Sequence, residues 1–298
     1  MIKVVIVSVT PVAGSPFQQY QCLKKYTDLN VRFIQNRAQY RDGRLFPKDL
    51  LDSEPVARQV IRDADVIHIH NALPTWLPPL INKARQRVIG TLHSFPRQGN
   101  WQQIMQFSHR VFTIRQPMQL REYKGFDSLP NLFDIWEYLP IPNKSYDGVI
   151  KIVYCPTNTY GPPGPGSKGY PVVMPLLERL QKQYGTAIEL IHHRNVEYLE
   201  NLRLKREGHI TIDDICGSTF HLTSLEGCCT AQAILTSTLK EWNYPFVYTT
   251  LSNLEEQLHF LLENRDNLQM IAQQSRQWVE TNWNPKEMIQ EYVKAYGG

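Results

Sequence analysis

The stretch that decides the fold is Thr211–Thr236, TIDDICGSTFHLTSLEGCCTAQAILT. The apolar residues at its two ends predict two short strands. The run between them predicts a loop of small residues and then a helix over about residues 221–232. Two acids, Asp213 and Asp214, stand where the first strand ends. A strand, loop, helix and second strand in this order are typical of a parallel α/β sheet.

One carboxylate, Glu226, lies inside the predicted helix among small residues. Burying a charge without a partner is costly, so this carboxylate needs one. Two interpretations are open. Glu226 either binds a pair of sugar hydroxyls, or it has a structural role as a helix cap or as one half of an ion pair.

Outside this stretch, apolar runs of strand length alternate with helical patterns along the chain. The expected strands cover residues 3–9, 30–35, 65–70, 87–92, 111–114, 150–155, 187–192, 210–215, 233–235 and 246–249. The expected helices cover residues 16–26, 54–63, 76–85, 101–107, 171–184, 196–206, 253–264 and 265–281, with a last helix from about residue 285. This order predicts parallel sheets with helices on both faces. No GxGxxG follows the first strand, which argues against a dinucleotide-binding site.

A proline-rich link at residues 140–148 separates two such α/β halves. We therefore expect a first domain over residues 1–143, a second domain over residues 149–282 and a cleft between them. In open α/β sheets, ligands bind at the carboxyl ends of the strands. Several polar loops follow strand ends here, and they supply the candidate site residues.

Composition argues against several classes of protein. The 298 residues contain no apolar run long enough to span a membrane, and MIKVVIVSVTP at the start is typical of a first strand and not of a signal peptide. The five cysteines show no CxxC spacing, which favours a reduced cytosol and argues against a zinc site. Without an HExxH motif or a cluster of carboxylates, we expect no metal. A cytoplasmic protein is the resulting expectation.

Charge is distributed unevenly along the chain. Residues 1–148 hold 19 lysines and arginines against 12 acids, whereas residues 149–298 hold 13 against 16. A basic first half indicates either an anionic partner or ordinary surface scatter. Its basic and aromatic side chains have the chemistry to follow phosphates and to stack on bases: Arg37, Tyr40, Arg41, Arg44, Phe46, Lys48, Arg97 and Trp101.

Two further residues stand out in the polar loops. Lys168, in Ser167-Lys168-Gly169, comes just before a predicted helix, where backbone N–H groups and a lysine favour phosphate. The alternative is a solvated lysine on a surface loop. His93 directly follows a buried strand and is a candidate hydrogen-bond donor to a substrate, although a lone histidine is more often structural. His68 and His70 alternate on one strand, so we expect them to share a face as neutral side chains.

Seven features in order now resemble a known family. They are a glycine loop after the first strand, VIHIHN (66–71), GTLHSFP (90–96), the proline link, YCPTN (154–158), SKG (167–169) and SLEG (224–227). This order resembles the retaining glycosyltransferases of the GT-B fold, the large group related to sucrose and trehalose-phosphate synthases, over nearly the whole chain. The resemblance implies two Rossmann-like α/β/α domains that face a central cleft. It also implies that the segment 283–298 crosses back to the first domain.

The resemblance also implies roles for single residues. Lys168 matches the lysine that contacts the diphosphate of the sugar donor, and Glu226 matches the second glutamate of an E-x7-E motif, which holds the ribose. Gly14 matches a glycine loop near the diphosphate and the transferred sugar. His93 matches a histidine at that sugar, so His93 and Lys168 are the candidate catalytic residues. No metal or cofactor is implied for binding of the sugar donor.

The sequence departs from the family pattern at two places. Ser218 stands where the first glutamate of E-x7-E is expected, with Thr219 and His221 nearby as further stand-ins for contacts to the transferred sugar. The family arginine that precedes the lysine is missing. Asn158 lies nearest to its place, and Arg194 is an alternative substitute.

The function implied is transfer of a sugar from a nucleoside diphosphate, expected to be UDP, to a hydroxyl group with retention of the anomeric configuration. The acceptor stays open between a hydroxymethylated base in DNA, a cell-surface glycan, a lipid-linked sugar and a small molecule. The DNA alternative reflects compact phage members of the family, in which case the protein would work in an infected bacterium. A sugar-nucleotide epimerase and a non-catalytic sugar-nucleotide-binding protein are the alternatives to a transferase.

Overall fold

The computed structural model describes residues 1–36, 45–93, 101–116, 121–193, 196–238 and 244–297. These residues divide into two compact units. Unit 1 holds the described residues from 1 to 134 and from 285 to 297, and unit 2 holds those from 135 to 284. Within these ranges, no helix is both long enough and apolar enough to cross a membrane.

Unit 1 is built on a parallel sheet with the strand order β3-β2-β1-β4-β5-β6-β7. Its strands are β1 (Lys3–Ser8), β2 (Asn30–Gln35), β3 (Leu50–Leu51), β4 (Val66–His70), β5 (Arg87–Leu92), β6 (Arg110–Ile114) and β7 (Asp127–Leu129). Its first three helices are α1 (Ser15–Tyr26), α2 (Pro55–Asp63) and α3 (Trp101–Phe107).

The central strands of unit 1 are apolar on both faces, because helices cover both sides of a parallel sheet. Val5, Val7, Ile67 and Ile69 of β1 and β4 are at most 2% exposed and form the middle of the core. Burial of each aliphatic side chain of this size stabilises the fold by about 1.5–3 kcal/mol. Continuous apolar runs thus determine both the strands and their central place in the sheet.

Unit 2 has a second parallel sheet with the order β12-β11-β10-β8-β9. Its strands are β8 (Ile150–Val153), β9 (Ile188–Ile191), β10 (Ile210–Ile212), β11 (Ala233–Thr236) and β12 (Val247–Tyr248). Its helices are α4 (Tyr170–Tyr184), α5 (Tyr198–Lys205), α6 (Leu222–Cys229), α7 (Leu254–Glu263) and α8 (Arg265–Asn282). The expectation of an α/β protein with two parallel sheets is confirmed.

The last helix, α9 (Pro285–Tyr296), follows unit 2 in the sequence but packs on α1 in unit 1. Its buried tyrosines make polar contacts there, since Tyr292 donates to the carbonyl of Pro130 and the Tyr296 hydroxyl contacts Gln19 and His68. An ion pair between Arg115 and Glu291 adds a contact nearer the surface. The expected return of the last helix to the first domain is confirmed.

The helix expected over residues 76–85 does not form. A short 3-10 turn, Pro78–Leu80, stands in its place, followed by a turn in which Arg85 N donates to the carbonyl of Asn82. Two adjacent prolines, Pro78 and Pro79, have no N–H group to donate along an α-helix, so the apolar pattern there does not produce one.

Candidate functional site

Asp213 is the centre of the site in unit 2. It directly follows β10, is fully buried, and its carboxylate accepts four contacts from three other residues. Lys168 donates to Oδ1, His221 N donates to Oδ2 over 2.7 Å, and Ser224 Oγ donates to Oδ2 over 2.6 Å. The fourth contact is from His221 Nδ1, which lies 3.6 Å from Oδ1. A carboxylate at the carboxyl end of a central strand thus joins the Lys168 loop to the start of α6.

Lys168 reaches Asp213 from the loop before α4, and its side chain is 19% exposed. Its backbone has a positive φ of 50°, which L residues rarely adopt, and its carbonyl accepts a hydrogen bond from Tyr154. A strained backbone held by a buried tyrosine is typical of a functional loop. The geometry therefore favours the functional interpretation of Lys168 over a solvated surface lysine.

The start of α4 is not the phosphate cradle that the sequence suggests. Tyr170 N donates to the carbonyl of Ser167, and the N–H groups of Val172 and Val173 donate to the carbonyl of Gly169. Pro171 has no N–H group. The N–H groups from Ser167 to Tyr170 and those of Val172 and Val173 are therefore engaged within the loop and the first turn, so the helix start itself has no row of free donors for an anion.

The start of α6 has free backbone donors instead. Among the residues that the structure describes, the N–H groups of Leu222 and Thr223 have no hydrogen-bond partner. The ring of His221 is 39% exposed, but its Nδ1 is buried and makes no hydrogen bond. Free N–H groups at a helix start attract anions, because the helix dipole is positive there.

Gly227 lets α6 lie close to the sheet. A Cβ atom at this position would come within 2.5 Å of Ile234 Cδ1 and 3.1 Å of Thr211 Oγ1. Any larger residue would force the Ile234 and Thr211 side chains, or α6 itself, to shift. The small residues of this helix therefore bring its start to Asp213.

The charges of Lys168 and Asp213 stabilise each other. Burial alone would raise the pKa of Asp213, but Lys168 and His221 outweigh that effect and hold this pKa well below its ordinary value. Burial likewise opposes the charge of Lys168, yet the adjacent carboxylate leaves the pKa of the lysine raised. Both groups are therefore ionised over the physiological pH range.

The residues expected to replace missing family contacts differ in what the structure shows of them. Ser218 has a positive φ of 55°, and its N–H group donates to Ser237 Oγ over 3.0 Å. Thr219 is 3% exposed. Asn158 makes its side-chain hydrogen bonds within its own loop, to the Gly166 carbonyl and from the Tyr160 N–H. Arg194, the other substitute, is outside the described residues.

Glu226 has a protein partner. Lys205 Nζ donates to its Oε2 over 2.7 Å, and the two side chains are only 6% and 4% exposed. The structural interpretation of this carboxylate, as part of an ion pair, thus describes its state in the structure. Its second oxygen, Oε1, has no hydrogen-bond partner in the described part of the chain.

In unit 1, the glycine loop after β1 has an unusual backbone. Val12, Ala13 and Gly14 all have positive φ angles, of 43°, 53° and 90°. For a β-branched residue such as Val12 this conformation is strained, and strain of this kind is concentrated at functional sites. Gly14 itself is buried and precedes α1 directly.

His93 belongs to a cluster of three imidazoles in unit 1. His68 and His70 of β4 share one face of the sheet, as expected, with ring centroids 4.5 Å apart. His70 Nδ1 lies 2.7 Å from His93 Nε2. Burial lowers the pKa of His93 to about 3, lowers that of His68 to about 3 with help from His93, and lowers that of His70 well below its ordinary value. All three rings are therefore neutral at pH 7.

The structure describes few of the side chains that the sequence predicts to bind the acceptor. Arg37, Tyr40, Arg41, Arg44 and Arg97 lie outside the described residues. Trp101 is a core residue, 7% exposed, whose ring packs on Tyr123 and Phe126. Phe46 is buried as well, at 4% exposed. The expectation that Trp101 and Phe46 stack on bases is wrong for these two residues, because their rings fill the core of unit 1.

The interpretation of the sequence missed three residues that the structure brings into these sites. The sequence marks Asp213 only as an acid at a strand end, and that position is the signal for its role. Lys205 gives no sequence signal, because its contact with Glu226 spans 21 residues. The sequence predicts a structural role for His70, and its partner, His93, directly follows the neighbouring strand β5.

Comparison with known proteins finds similarity in fold but none in sequence. No protein-family model matches the sequence, and no curated protein sequence is significantly similar to it. Among solved structures, the sucrose-phosphate synthase of Thermosynechococcus elongatus superimposes with a TM-score of 0.66 at 10% identity, over 99% of this chain and 98% of that chain. AviGT4, a glycosyltransferase involved in avilamycin A biosynthesis, gives 0.56 at 12% identity, over 99% and 97%.

An epimerase matches this chain with the same TM-score as AviGT4. The UDP-GlcNAc 2-epimerase of Neisseria meningitidis, solved with UDP-GlcNAc bound, gives a TM-score of 0.56 at 11% identity, over 99% of this chain and 100% of that chain. Identities this low establish the fold and not the activity. The chain has the GT-B fold, with two parallel-sheet α/β units, which nucleotide-sugar glycosyltransferases and related epimerases share.

Proposed function

We propose that the protein is a glycosyltransferase that uses a nucleoside-diphosphate sugar, and that unit 2 binds the diphosphate. The observation that carries this proposal is the convergence on Asp213 of the Lys168 ammonium, the His221 ring and the start of α6. A lysine together with free N–H groups at a helix start is a suitable site for an anion with two phosphates. These groups are held in place by Asp213 before any ligand arrives.

Fixed positive groups at this position serve the chemistry of glycosyl transfer. When the bond between sugar and diphosphate breaks, negative charge develops on the leaving phosphate oxygen. Groups that already point at this oxygen stabilise the transition state, by about 2.7–4 kcal/mol for each well-placed donor. Attack by the acceptor hydroxyl on the same face, with its proton passing to the leaving phosphate, requires no protein nucleophile and retains the anomeric configuration.

Asp213 has two opposing effects on this site. It keeps the buried lysine charged and directs it, but it also shares the positive charge that a diphosphate needs. Binding of the diphosphate therefore has to compete with an existing ion pair. The N–H groups of Leu222 and Thr223 make no hydrogen bond to Asp213 and remain as donors for the phosphate, although the carboxylate at the same helix start offsets part of the attraction of the helix dipole.

Glu226 keeps a ribose-binding role in a modified form in this proposal. Lys205 occupies Oε2 and neutralises the carboxylate, while Oε1 stays available as an acceptor for a ribose hydroxyl. Gly14 and His93, in unit 1, are the candidate contacts of the transferred sugar, supported by the strained glycine loop and by the neutral imidazole. Ser218 or Thr219 would replace the missing glutamate.

Lys168→Ala tests the proposal. Loss of the ammonium group should lower the turnover of a UDP-linked sugar about 100- to 1000-fold, because one stabilising group is lost from the leaving phosphate. Lys168→Arg should retain part of the activity. The measurement is kcat with each member of a panel of nucleotide sugars, and UDP sugars come first because related folds are known with UDP ligands. Wild-type turnover in Lys168→Ala would contradict the assignment.

Lys182→Ala is the matched control. Lys182 is an exposed lysine in the last turn of α4, so the substitution makes the same change of charge far along the same helix. Its turnover should equal that of the wild type. Circular dichroism of all three variants shows whether they are folded.

The same assays separate the alternative functions. Anomeric NMR signals of the product report retention, and donor incubated without acceptor reports epimerisation. Nucleotide binding without any turnover would indicate a non-catalytic binding protein. Duplex DNA with hydroxymethylated pyrimidines is included among the acceptors because residues 1–148 carry a net charge of +7. Its affinity should fall steeply with salt if DNA is bound through phosphates.

A further inference from the structure

His70 and His93 lie side by side because of the register of two parallel strands. His70 of β4 is paired with Thr91 of β5, and His93 lies two residues beyond Thr91. Residues two apart on a strand point to the same face. The sheet therefore brings both imidazoles to one face at the carboxyl ends of neighbouring strands, which is the edge where α/β proteins bind ligands.

The contact between the two rings requires one proton. Nδ1 of His70 and Nε2 of His93 are 2.7 Å apart, and each neutral imidazole carries its hydrogen on only one nitrogen. Either His70 donates from Nδ1, or His93 donates from Nε2. The two arrangements differ in which nitrogens remain on the far sides of the rings.

The buried side of His70 distinguishes the two arrangements. Its Nε2 is buried and has no hydrogen-bond partner among the described residues. If His93 donated, His70 would carry its hydrogen on Nε2 and bury an N–H group without an acceptor, which native structures rarely do. If His70 donates from Nδ1, its Nε2 has no hydrogen, and no N–H group is left without an acceptor.

We propose that His70 is a positioning residue whose Nδ1–H donates to His93 Nε2 and holds His93 in the tautomer that carries its hydrogen on Nδ1. His93 then acts on the substrate as a neutral hydrogen-bond donor and not as a base. The proposal rests on the proposed function, since it takes His93 as a contact of the transferred sugar. It goes further by stating which atom of His93 makes that contact and which residue determines this.

The surroundings of His70 support this role. His68 stacks against it, while His68 Nε2 contacts Thr91 Oγ1 over 2.6 Å and His68 Nδ1 contacts Tyr296 over 2.8 Å. Both nitrogens of His68 are therefore engaged, so His68 supports the ring of His70 without competing for its Nδ1. The backbone of His93 is fixed as well, because its N–H group donates to Asn71 Oδ1 over 3.1 Å.

Nitrogen NMR of the histidine rings tests the tautomer directly. In protein labelled with 15N-histidine, His93 should show a protonated Nδ1 and an unprotonated Nε2 at neutral pH, with the resonances assigned by comparison with His93→Gln. A protonated Nε2 in His93 would overturn the proposal. This measurement needs neither substrate nor turnover, so it remains decisive even if the proposed glycosyltransferase activity fails.

Substitutions at His70 test the consequence for activity. The amide nitrogen of asparagine takes the place of Nδ1, whereas that of glutamine takes the place of Nε2. His70→Asn should therefore retain near wild-type kcat, while His70→Gln and His70→Ala should lose about 10- to 100-fold, as is common when the group that orients a histidine is removed. KM for the nucleotide sugar should change little. Equal losses in all three variants would show that His70 only fills space.

Discussion

The two units place different chemistry at the same kind of position, the carboxyl ends of central parallel strands. Unit 2 holds an ion cluster, in which Asp213 is paired with Lys168 and both are charged. Unit 1 holds an imidazole cluster of His68, His70 and His93, in which burial keeps every ring neutral. Burial is similar in both, so the difference lies in the partners.

This difference shows how partners determine the charge of a buried group. A buried carboxylate with a lysine and N–H donors around it stays ionised, because those contacts offset the loss of hydration. A buried imidazole surrounded by hydroxyls, amides and other imidazoles loses its proton instead. The charged cluster of unit 2 has the chemistry to bind an anion, and the neutral imidazoles of unit 1 have the chemistry to donate hydrogen bonds to an uncharged group.

The largest expected effect comes from removing one buried charge from unit 2. Glu226→Gln removes one half of the buried ion pair with Lys205 and leaves the ammonium without a counter-ion. We expect unit 2 to lose about 3–5 kcal/mol of unfolding free energy, as is found when one partner of a buried pair is removed. Urea titration, with hydrogen exchange of peptides from α6 as the readout, measures this loss.

The double variant Lys205→Met/Glu226→Leu is the control for that prediction. It replaces the pair with two apolar side chains of similar size, so no buried charge is left alone and most of the lost stability should return. If Glu226→Gln alone cost less than about 1 kcal/mol, the pair would not be a buried ion pair in solution, and the contrast between the units would rest on Asp213 and Lys168 alone.

The second effect is the pH dependence of stability that follows from the neutral imidazoles of unit 1. The pKa of His68 is about 3 in the folded protein, against an ordinary value of 6.5. The unfolded chain therefore binds more protons below pH 6.5, so stability is complete above that pH and falls as the pH decreases towards 3. The slope is at most about 1.4 kcal/mol per pH unit for one histidine.

His68→Gln should make stability depend less steeply on pH, because one histidine fewer takes up a proton on unfolding. Hydrogen exchange of peptides that cover β4, corrected for intrinsic exchange rates, gives the local stability between about pH 6 and pH 4. His70 and His93 contribute to the slope in both proteins, so the difference between wild type and variant reports His68 together with its smaller effect on the pKa of His70. Identical slopes would mean that His68 is not held neutral.

The smallest expected effect concerns a single hydroxyl beside the imidazole cluster. Tyr296→Phe removes the group that accepts from Gln19 Nε2 and contacts His68 Nδ1, each over 2.8 Å. We expect a loss of about 1–2 kcal/mol, the usual cost when a buried hydrogen bond is removed and its partners are left unpaired. Hydrogen exchange of α9 peptides measures it.

Tyr292→Phe is the matched variant on the same helix. Its hydroxyl donates to the carbonyl of Pro130 and not to an imidazole. It should cost a similar amount, but only Tyr296→Phe should shift the ring nitrogen resonances of His68. Equal shifts in both variants would show that α9 affects His68 through packing and not through the hydroxyl.

Much of the fold can be predicted from the sequence, because its signals are local. The bounds of β2, β5 and α3 are predicted as observed, since each is a run bounded by polar or turn residues. The strands β3 and β7 were not predicted. They have two and three residues, too few to show an alternating or apolar pattern.

The candidate site was predictable only in part. Lys168 and His93 could be recognised from their places after strands and before helices, and the structure joins each to a buried polar cluster. The partners of these residues were not predictable. Asp213 is 45 residues from Lys168, and Lys205 is 21 residues from Glu226. Contacts of this kind depend on how strands are ordered in the sheet, which no local pattern encodes.

The return of α9 to unit 1 determines when that unit can be completed during synthesis on the ribosome. The strands that carry the imidazole cluster emerge first, but Tyr296, which contacts Gln19 and His68, is made only after all of unit 2. Until then the face of α1 that α9 covers is open to water and to other chains. The first half of the nascent chain therefore cannot bury this face until the last helix of the chain has been synthesised.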